Sequence, residues 1–227
     1  MKQKLVILSG AGMSAESGIQ TFRDAGGLWE GHDVTKVASP EGWNADPEMV
    51  LDFYNQRRQN VRDTSPNLAH KFFAELEDQY EMLIVTQNVD DLHERAGSSN
   101  IIHLHGEILK AQSTNDPNLV YDLNGKDIFW GDKCETGSQL RPFIVWFGES
   151  VPKLEEAAME IMKADLLIVI GTSLQVYPAA SLLQYTKPAC NRILVDPKAD
   201  EIYVPNDFRV ISETAVNSIP TLKKLLL

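Results

Sequence analysis

The sequence predicts an α/β fold: a doubly wound parallel sheet with a small inserted second domain. Three observations carry this. Four short apolar runs, KLVILSG (4–10), MLIVTQN (82–88), DLLIVIGT (165–172) and RILVD (192–196), end in turn or polar residues, with helical patterns between them. The first run closes on a Gly-x-Gly turn. The segment 108–141 breaks the rhythm, being rich in Asn, Asp and Gly with short β-like pieces such as NLVYDL. Strands covered by helices on both faces read as continuous apolar runs, and their alternation with helices makes the sheet parallel.

The elements follow in order. After the first strand, residues 25–60 read as a helical excursion that contains PEMVLDFYNQRRQNV. SPNLAHKFFAELEDQY reads as the next helix, with Ser65 as N-cap and Pro66 at the first helical position. NIIHLHGE (100–107) reads as a strand whose alternation puts His103 and His105 on one face. The insertion rises and returns between Gly106 and Phe143. TSLQVYPAASLLQYT, approached through a loop, reads as a helix before the last apolar run.

The chain has 227 residues and is 43% apolar, which suits one α/β domain with a modest insertion and a sizeable core. The formal net charge of −11 argues against direct nucleic-acid binding. Two cysteines make no disulfide framework and fit a reducing cytoplasm. The first residues lack a signal peptide's long apolar region, and no run reaches the roughly 18 apolar residues of a membrane span. A soluble, cytoplasmic monomer with no membrane partner is expected.

Candidate ligand groups gather at the carboxyl ends of the strands, where doubly wound sheets bind ligands. Gly10, Ala11, Gly12 and Ser14 form a turn after a strand, with Ala15 in the third slot of Gly-x-Gly-x-x-Ala. Such a turn lets backbone approach a pyrophosphate, although a tight structural turn needs the same glycines. Gly171, Thr172 and Ser173 repeat the pattern after a second strand. Asp196, 25 residues after Gly171, is placed to accept from ribose hydroxyls or to serve as a turn residue before Pro197. Two such turns suggest a dinucleotide. Gln87, Asn88 and Asp90 offer amides and a carboxylate able to orient a sugar or stabilise developing positive charge, while Asp90 also suits capping of the next helix. His105 and His103 are candidate general bases; His-x-His also suits a metal, with no third ligand evident. His93 reads as structural, and Arg23 as a phosphate or sugar ligand or a surface ion-pair member.

GAGMSAESGIQTFR, TQNVDDLHERAG, HLHGE, VWFGE and VIGTSLQVYPAA stand in order across residues 10–180. Together they resemble the motifs of the sirtuin family, the NAD-dependent protein lysine deacylases. The resemblance implies a Rossmann-like NAD-binding domain (1–24, 61–107 and 142–227) and a small domain made of 25–60 and 108–141. It implies that Gly10 to Ser14, with Phe22 and Arg23, wrap NAD. Gln87, Asn88 and Asp90 would hold the nicotinamide and its ribose. Gly171, Thr172, Ser173, Asp196 and Ala215 would line the adenosine side. The family often carries Asn where Leu194 or Asp196 falls here. His105 would be the general base, accepting a proton from the ribose hydroxyls after the acyl oxygen has attacked the anomeric carbon. The products would be free lysine, nicotinamide and O-acyl-ADP-ribose. In IVWFGES, the Val145 carbonyl would accept from the substrate lysine amide, with Phe147 and Gly148 flanking its tunnel.

Tyr54 and Arg57 share a helical face at i and i+3. They resemble the class III subgroup, which removes negatively charged acyl groups, as do Thr21 and Ala25. Arg clamps a carboxylate bidentately and Tyr adds a donor. The resemblance therefore implies desuccinylase and demalonylase activity beside deacetylation. Sirtuins usually hold zinc with two cysteine pairs in the small domain, but the segment here has only Cys134, with Ser113 near an early ligand position. No metal is expected, and Leu119, Tyr121, Ile128 and Trp130 are the expected apolar replacements. Mono-ADP-ribosyl transfer in the same cleft is the competing enzymatic reading. A non-catalytic NAD sensor and a dehydrogenase fit fewer of these residues.

Overall fold

The computed structural model describes residues 2–21, the backbone of 28–29, and 32–227. Its centre is a six-stranded sheet of β1 (Lys4–Ser9), β4 (Glu81–Thr86), β5 (Ile101–His103), β9 (Leu166–Ile170), β10 (Asn191–Val195) and β11 (Phe208–Ile211), all parallel. The spatial order is β11-β10-β9-β1-β4-β5. The chain leaves β1 toward β4 on one side and later returns to β9 on the other. The winding therefore reverses between β1 and β9, and a crevice opens at their carboxyl ends.

Alternation along these strands feeds two cores. Val6, Leu8, Leu83, Val85, Leu167 and Val169 pack toward Ala157 and Ile161 of α7 (Leu154–Ile161). Leu5, Ile7, Met82, Ile84, Ile168 and Ile170 pack toward Phe72 and Phe73 of α5 (Leu68–Glu75) and Leu222 of α8 (Ile219–Leu226). Successive side chains point to opposite faces, so a strand feeding both layers must be apolar throughout.

Between β1 and α5 lie a short antiparallel pair, β2 (Leu28–Trp29) and β3 (His32–Asp33), and then α2 (Val34–Val37), α3 (Pro40–Ala45) and α4 (Pro47–Asp63). Ser39 and Asp46 cap α3 and α4 by accepting from Gly42 N and Met49 N at 3.0 Å, and each helix starts on a proline. A three-stranded antiparallel sheet, in order β7-β6-β8, is built from β6 (Gly106–Ser113), β7 (Val120–Asp122) and β8 (Leu140–Ile144). The helical excursion and this sheet share a core of Val50, Phe53, Tyr54, Val61, Ile108, Ile144 and Trp146. Asn55 ties α4 to the insertion by donating to Ile128 O (2.8 Å) and accepting from Ile128 N (3.1 Å). The fully buried Arg58 donates Nε–H to Ile108 O at 2.8 Å.

Several expectations are corrected. The α5 helix starts two residues after the expected proline and is capped by Asn67, not Ser65, with the amide oxygen accepting from Ala69 N and His70 N. Residues 172–186 form a loop and a 3-10 turn over Ala179–Tyr185, with no α-helix. β11 was not legible, because FRVI exposes its two central residues. His103 closes β5, but His105 lies in the bend before β6, so the two do not share a strand. A one-turn helix, α1 (Gly12–Ala15), follows the glycine turn. A single turn carries too little aligned dipole to attract an anion as a long helix does.

At the far end of β6, Cys134 Sγ lies 3.4 Å from Ser113 Oγ and 3.0 Å from Thr136 Oγ1. Ser113 Oγ also accepts from Asn115 N (3.2 Å) and Asp116 N (3.3 Å). One thiol and two hydroxyls do not fit tetrahedral zinc, which takes thiolates and imidazoles. These groups form a hydrogen-bonded knot. Of the expected apolar supports, Ile128 is buried with Leu51 and Ala111. Leu119 and Tyr121 are only half-buried, and Trp130 is exposed, its ring 6.5 Å from Trp43.

Candidate functional site

The glycines at the switch point are required by close backbone packing. Gly12 N donates to Gly171 O at 2.8 Å and Gly10 N to Ile170 O at 3.0 Å. A Cβ on Gly171, whose φ is +64°, would stand 2.3 Å from Met13 N, and one on Gly12 would stand 2.7 Å from Gly171 Cα. The two turns therefore interlock, and only glycine permits it. The Met13 and Ser14 amides are also engaged, donating to Gly10 O and Ala11 O.

A cavity of about 440 Å³ opens here. Of the described candidates from the sequence, all but His103 line it: Gly10, Ala11, Gly12, Ser14, Tyr54, Arg57, Gln87, Asn88, Asp90, His105, Val145, Phe147, Gly148, Gly171, Thr172, Ser173, Asp196 and Ala215. Phe22, Arg23 and Ala25 lie outside the described residues. The volume falls within the usual range for a small-molecule site.

Its floor is a polar network. Asn88 Nδ2 donates to Ser14 Oγ at 3.0 Å, and Ser14 Oγ donates to Asp90 Oδ2 at 3.0 Å. The other Asp90 oxygen accepts from Leu92 N at 3.1 Å, so this one carboxylate both caps the next turn and faces the site. Burial raises the Asp90 pKa against these two donors. Beneath, Ser9 Oγ donates to Thr86 Oγ1 (2.9 Å), which accepts from Asn88 N (3.0 Å). Ser9 Oγ also lies 3.2 Å from Nε2 of the buried His93. Gln87 Nε2 donates to Thr172 Oγ1 at 3.2 Å and so bridges the two halves of the sheet. Asp196 Oδ1 accepts from Lys198 N at 2.9 Å, a turn role held while the residue lines the cavity.

His105 Nδ1 lies 3.0 Å from Gln87 O. A carbonyl only accepts, so Nδ1 carries the proton and Nε2 keeps its lone pair. Burial lowers the His105 pKa, against the Gln87 contact, which favours this neutral form. His103 turns elsewhere: Nδ1 lies 3.2 Å from Asn88 O and Nε2 lies 2.6 Å from Glu94 Oε1.

On the opposite wall, Tyr54 and Arg57 are both buried. Trp146 Nε1 donates to Tyr54 Oη at 3.1 Å. Arg141 lies over the Trp146 ring at 3.4 Å and donates to both Glu149 oxygens at 2.7 and 3.0 Å, while Glu149 accepts from Trp146 N at 2.8 Å. Sequence reasoning missed this clamp. Its only signal was the tight VWFGE run beside an arginine. Val145 N donates to His105 O at 2.9 Å, which ties the segment to the His105 backbone.

The fold and cleft thus define a dinucleotide-binding type of α/β protein with an imidazole and a buried Tyr–Arg pair in one pocket. Residues 10–178 match the model of the Sir2 family. An NAD-dependent protein deacylase of Helicobacter pylori is 57% identical over 225 residues, covering 99% of this chain and 98% of that one. A Sir2 homolog–NAD complex is 40% identical with a TM-score of 0.85, covering 100% of this chain and 91% of that one. A Sir2 complex with a deacetylated p53 peptide and 3'-O-acetyl ADP ribose is 30% identical with a TM-score of 0.80, covering 99% and 94%. The chain belongs to the Sir2 family.

Proposed function

We propose that this protein is an NAD-dependent protein lysine deacylase that consumes NAD in the described cleft, with acylated lysine in proteins as its substrate. The observation that carries this reading is the full-length relationship to a deacylase, with His105 in the same cavity as the interlocked glycine turns. NAD supplies a sugar carbon made reactive by its pyridinium leaving group. Gln87, Asn88 and Asp90 orient that sugar and exclude water, and the buried carboxylate stabilises positive charge as it develops. His105 Nε2 accepts a proton from a ribose hydroxyl. Gly10, Ala11, Gly12, Ser14, Gly171, Thr172 and Ser173 hold the dinucleotide backbone, with Asp196 and Ala215 on the adenosine side; Phe22 and Arg23 are further cofactor-binding residues by the family resemblance. The Val145 carbonyl, Phe147 and Gly148 receive the substrate segment.

The finer reading is removal of succinyl and malonyl groups. Its support is the burial of Tyr54 and Arg57 within the cavity, where a guanidinium in low dielectric pairs strongly with a carboxylate. Ala25 would leave the room. Arg57→Met is expected to lower kcat/KM for succinyl-lysine peptides by about 100-fold, the scale of a lost buried charge pair, with acetyl-lysine turnover within about threefold. Equal losses on both substrates would contradict the clamp. Stable transfer of labelled ADP-ribose to protein would favour the transferase reading instead.

The division into an NAD-binding domain (1–24, 61–107, 142–227) and a small domain (25–60, 108–141) belongs to the same proposal. It is supported by the separate core shared by the helical excursion and the three-stranded sheet. So does a cytoplasmic monomer free of nucleic acid and membrane. Among the described residues no helix is long and apolar enough to cross a membrane, and both cysteines are free thiols. Elution of the purified chain as a dimer in gel filtration would refute the monomer.

A further inference from the structure

The sequence offered His103 as half of a His-x-His metal motif with no third ligand in view. The fold supplies two. Glu94, on the short helix α6 (Leu92–Ala96), and Glu107, at the start of β6, converge on His103 at the end of β5. One ligand atom from each lies within 4.8 Å of the others. We propose that His103, Glu94 and Glu107 form a binding site for a divalent transition-metal ion of the zinc class.

Three features separate this site from a chance cluster of surface acids. The His103 side chain is only 10% exposed, so its ring has little freedom. Its Nδ1 donates to the Asn88 carbonyl and Nε2 donates to Glu94 Oε1 at 2.6 Å, so the ring already aims Nε2 at the carboxylates, and a metal ion would take the place of the Nε2 proton. A backbone carbonyl behind a histidine is the usual outer partner that fixes a metal-binding ring. The two carboxylates sit on separate elements and are the more exposed members, so their rotation can bring the donors to bonding distance of about 2.0–2.2 Å. Three ligands of this kind leave a fourth position for water.

Two cations compete: the Nε2 proton of His103, held by Glu94, and Lys110, with Nζ 3.0 Å from Glu107. The proton must leave and the Lys110 ammonium must swing away when the ion enters, which sets a modest affinity. The site lies at the opposite end of β6 from the Ser113–Cys134–Thr136 knot and shares no residue with it. It stands behind the loop that carries Gln87, Asn88 and Asp90, because its anchoring carbonyl belongs to Asn88.

The test is calorimetric titration of Zn²⁺ into the full-length protein after chelator treatment, in a Cys134→Ser background that removes the competing thiol. One saturable equivalent is expected, and His103→Gln and Glu107→Gln are each expected to weaken it by at least about tenfold. Glu107→Gln alters a half-exposed strand residue and keeps the fold, so its result stands even if His103→Gln destabilises the chain. Absence of saturable binding below about 1 mM, or an unchanged affinity in Glu107→Gln, would overturn the proposal.

Discussion

At the residue scale, His105 is the proposed general base, and its tautomer suits that role. The Gln87 carbonyl fixes the proton on Nδ1, and burial holds the ring pKa below its ordinary 6.5. The basic form therefore persists below pH 6.5. The midpoint of the acid-side decline in kcat/KM is expected below pH 6.5. A decline centred above pH 7 in kcat/KM would place the essential group elsewhere. His105→Ala is expected to lower kcat by about 10²–10⁴-fold, the range for a lost general base, with NAD affinity retained. A drop below about threefold would remove His105 from the proton path. The neighbouring arginines show how limited a residue-by-residue reading is. Arg57 and Arg58 are adjacent and both buried, yet Arg57 lines the cavity while Arg58 holds Ile108 O. Helical spacing from Tyr54 singled out Arg57, but no pattern marked Arg58 as structural.

At the element scale, the two glycine turns act as one joint. Their lack of side chains serves mutual packing as much as any ligand, and Gly171 requires a left-handed backbone as well. Gly171→Ala would add strain and a backbone clash. It is expected to destabilise the protein by about 2 kcal/mol or more and to weaken ADP-ribose binding at least tenfold, read by thermal melting and titration. A variant with unchanged melting and binding would show that the turns move apart freely. The insertion has no donor set for tetrahedral zinc and rests on Ile128, Ala111, Leu51 and the Cys134 knot. Chelator treatment is therefore expected to leave the melting temperature within about 2 °C, whereas loss of a structural metal would shift it far more.

At the scale of the whole molecule, the parallel sheet was legible because each strand buried on both faces is an unbroken apolar run. The edge strand β11, with two exposed residues, was not. The helix expected over 172–186 failed because apolar spacing alone does not distinguish a 3-10 turn from an α-helix. The Gly-x-Gly turns located the cleft, but the network beneath it joins Ser9 to Thr86, 77 positions away, which no local pattern reveals. The buried His70 and His93, with ring centroids 4.8 Å apart, add a pH dependence to the fold. Burial lowers His70 to about 4 and His93 well below 6.5. Between pH 6.5 and about 4 the unfolded chain binds protons that the folded chain refuses. Each such histidine thus lowers the unfolding free energy by up to about 1.4 kcal/mol per pH unit as pH falls. His70→Asn is expected to flatten urea stability between pH 6.5 and 4.5. A slope identical to that of the parent chain would contradict this.

The most direct measurement of the central claim is mass spectrometry of acetyl-, succinyl- and malonyl-lysine peptides incubated with the purified protein, with and without NAD. The expected result is loss of acyl groups only with NAD, matched mole for mole by nicotinamide and O-acyl-ADP-ribose. Acyl loss without NAD, or NAD cleavage with every peptide left intact, would contradict it.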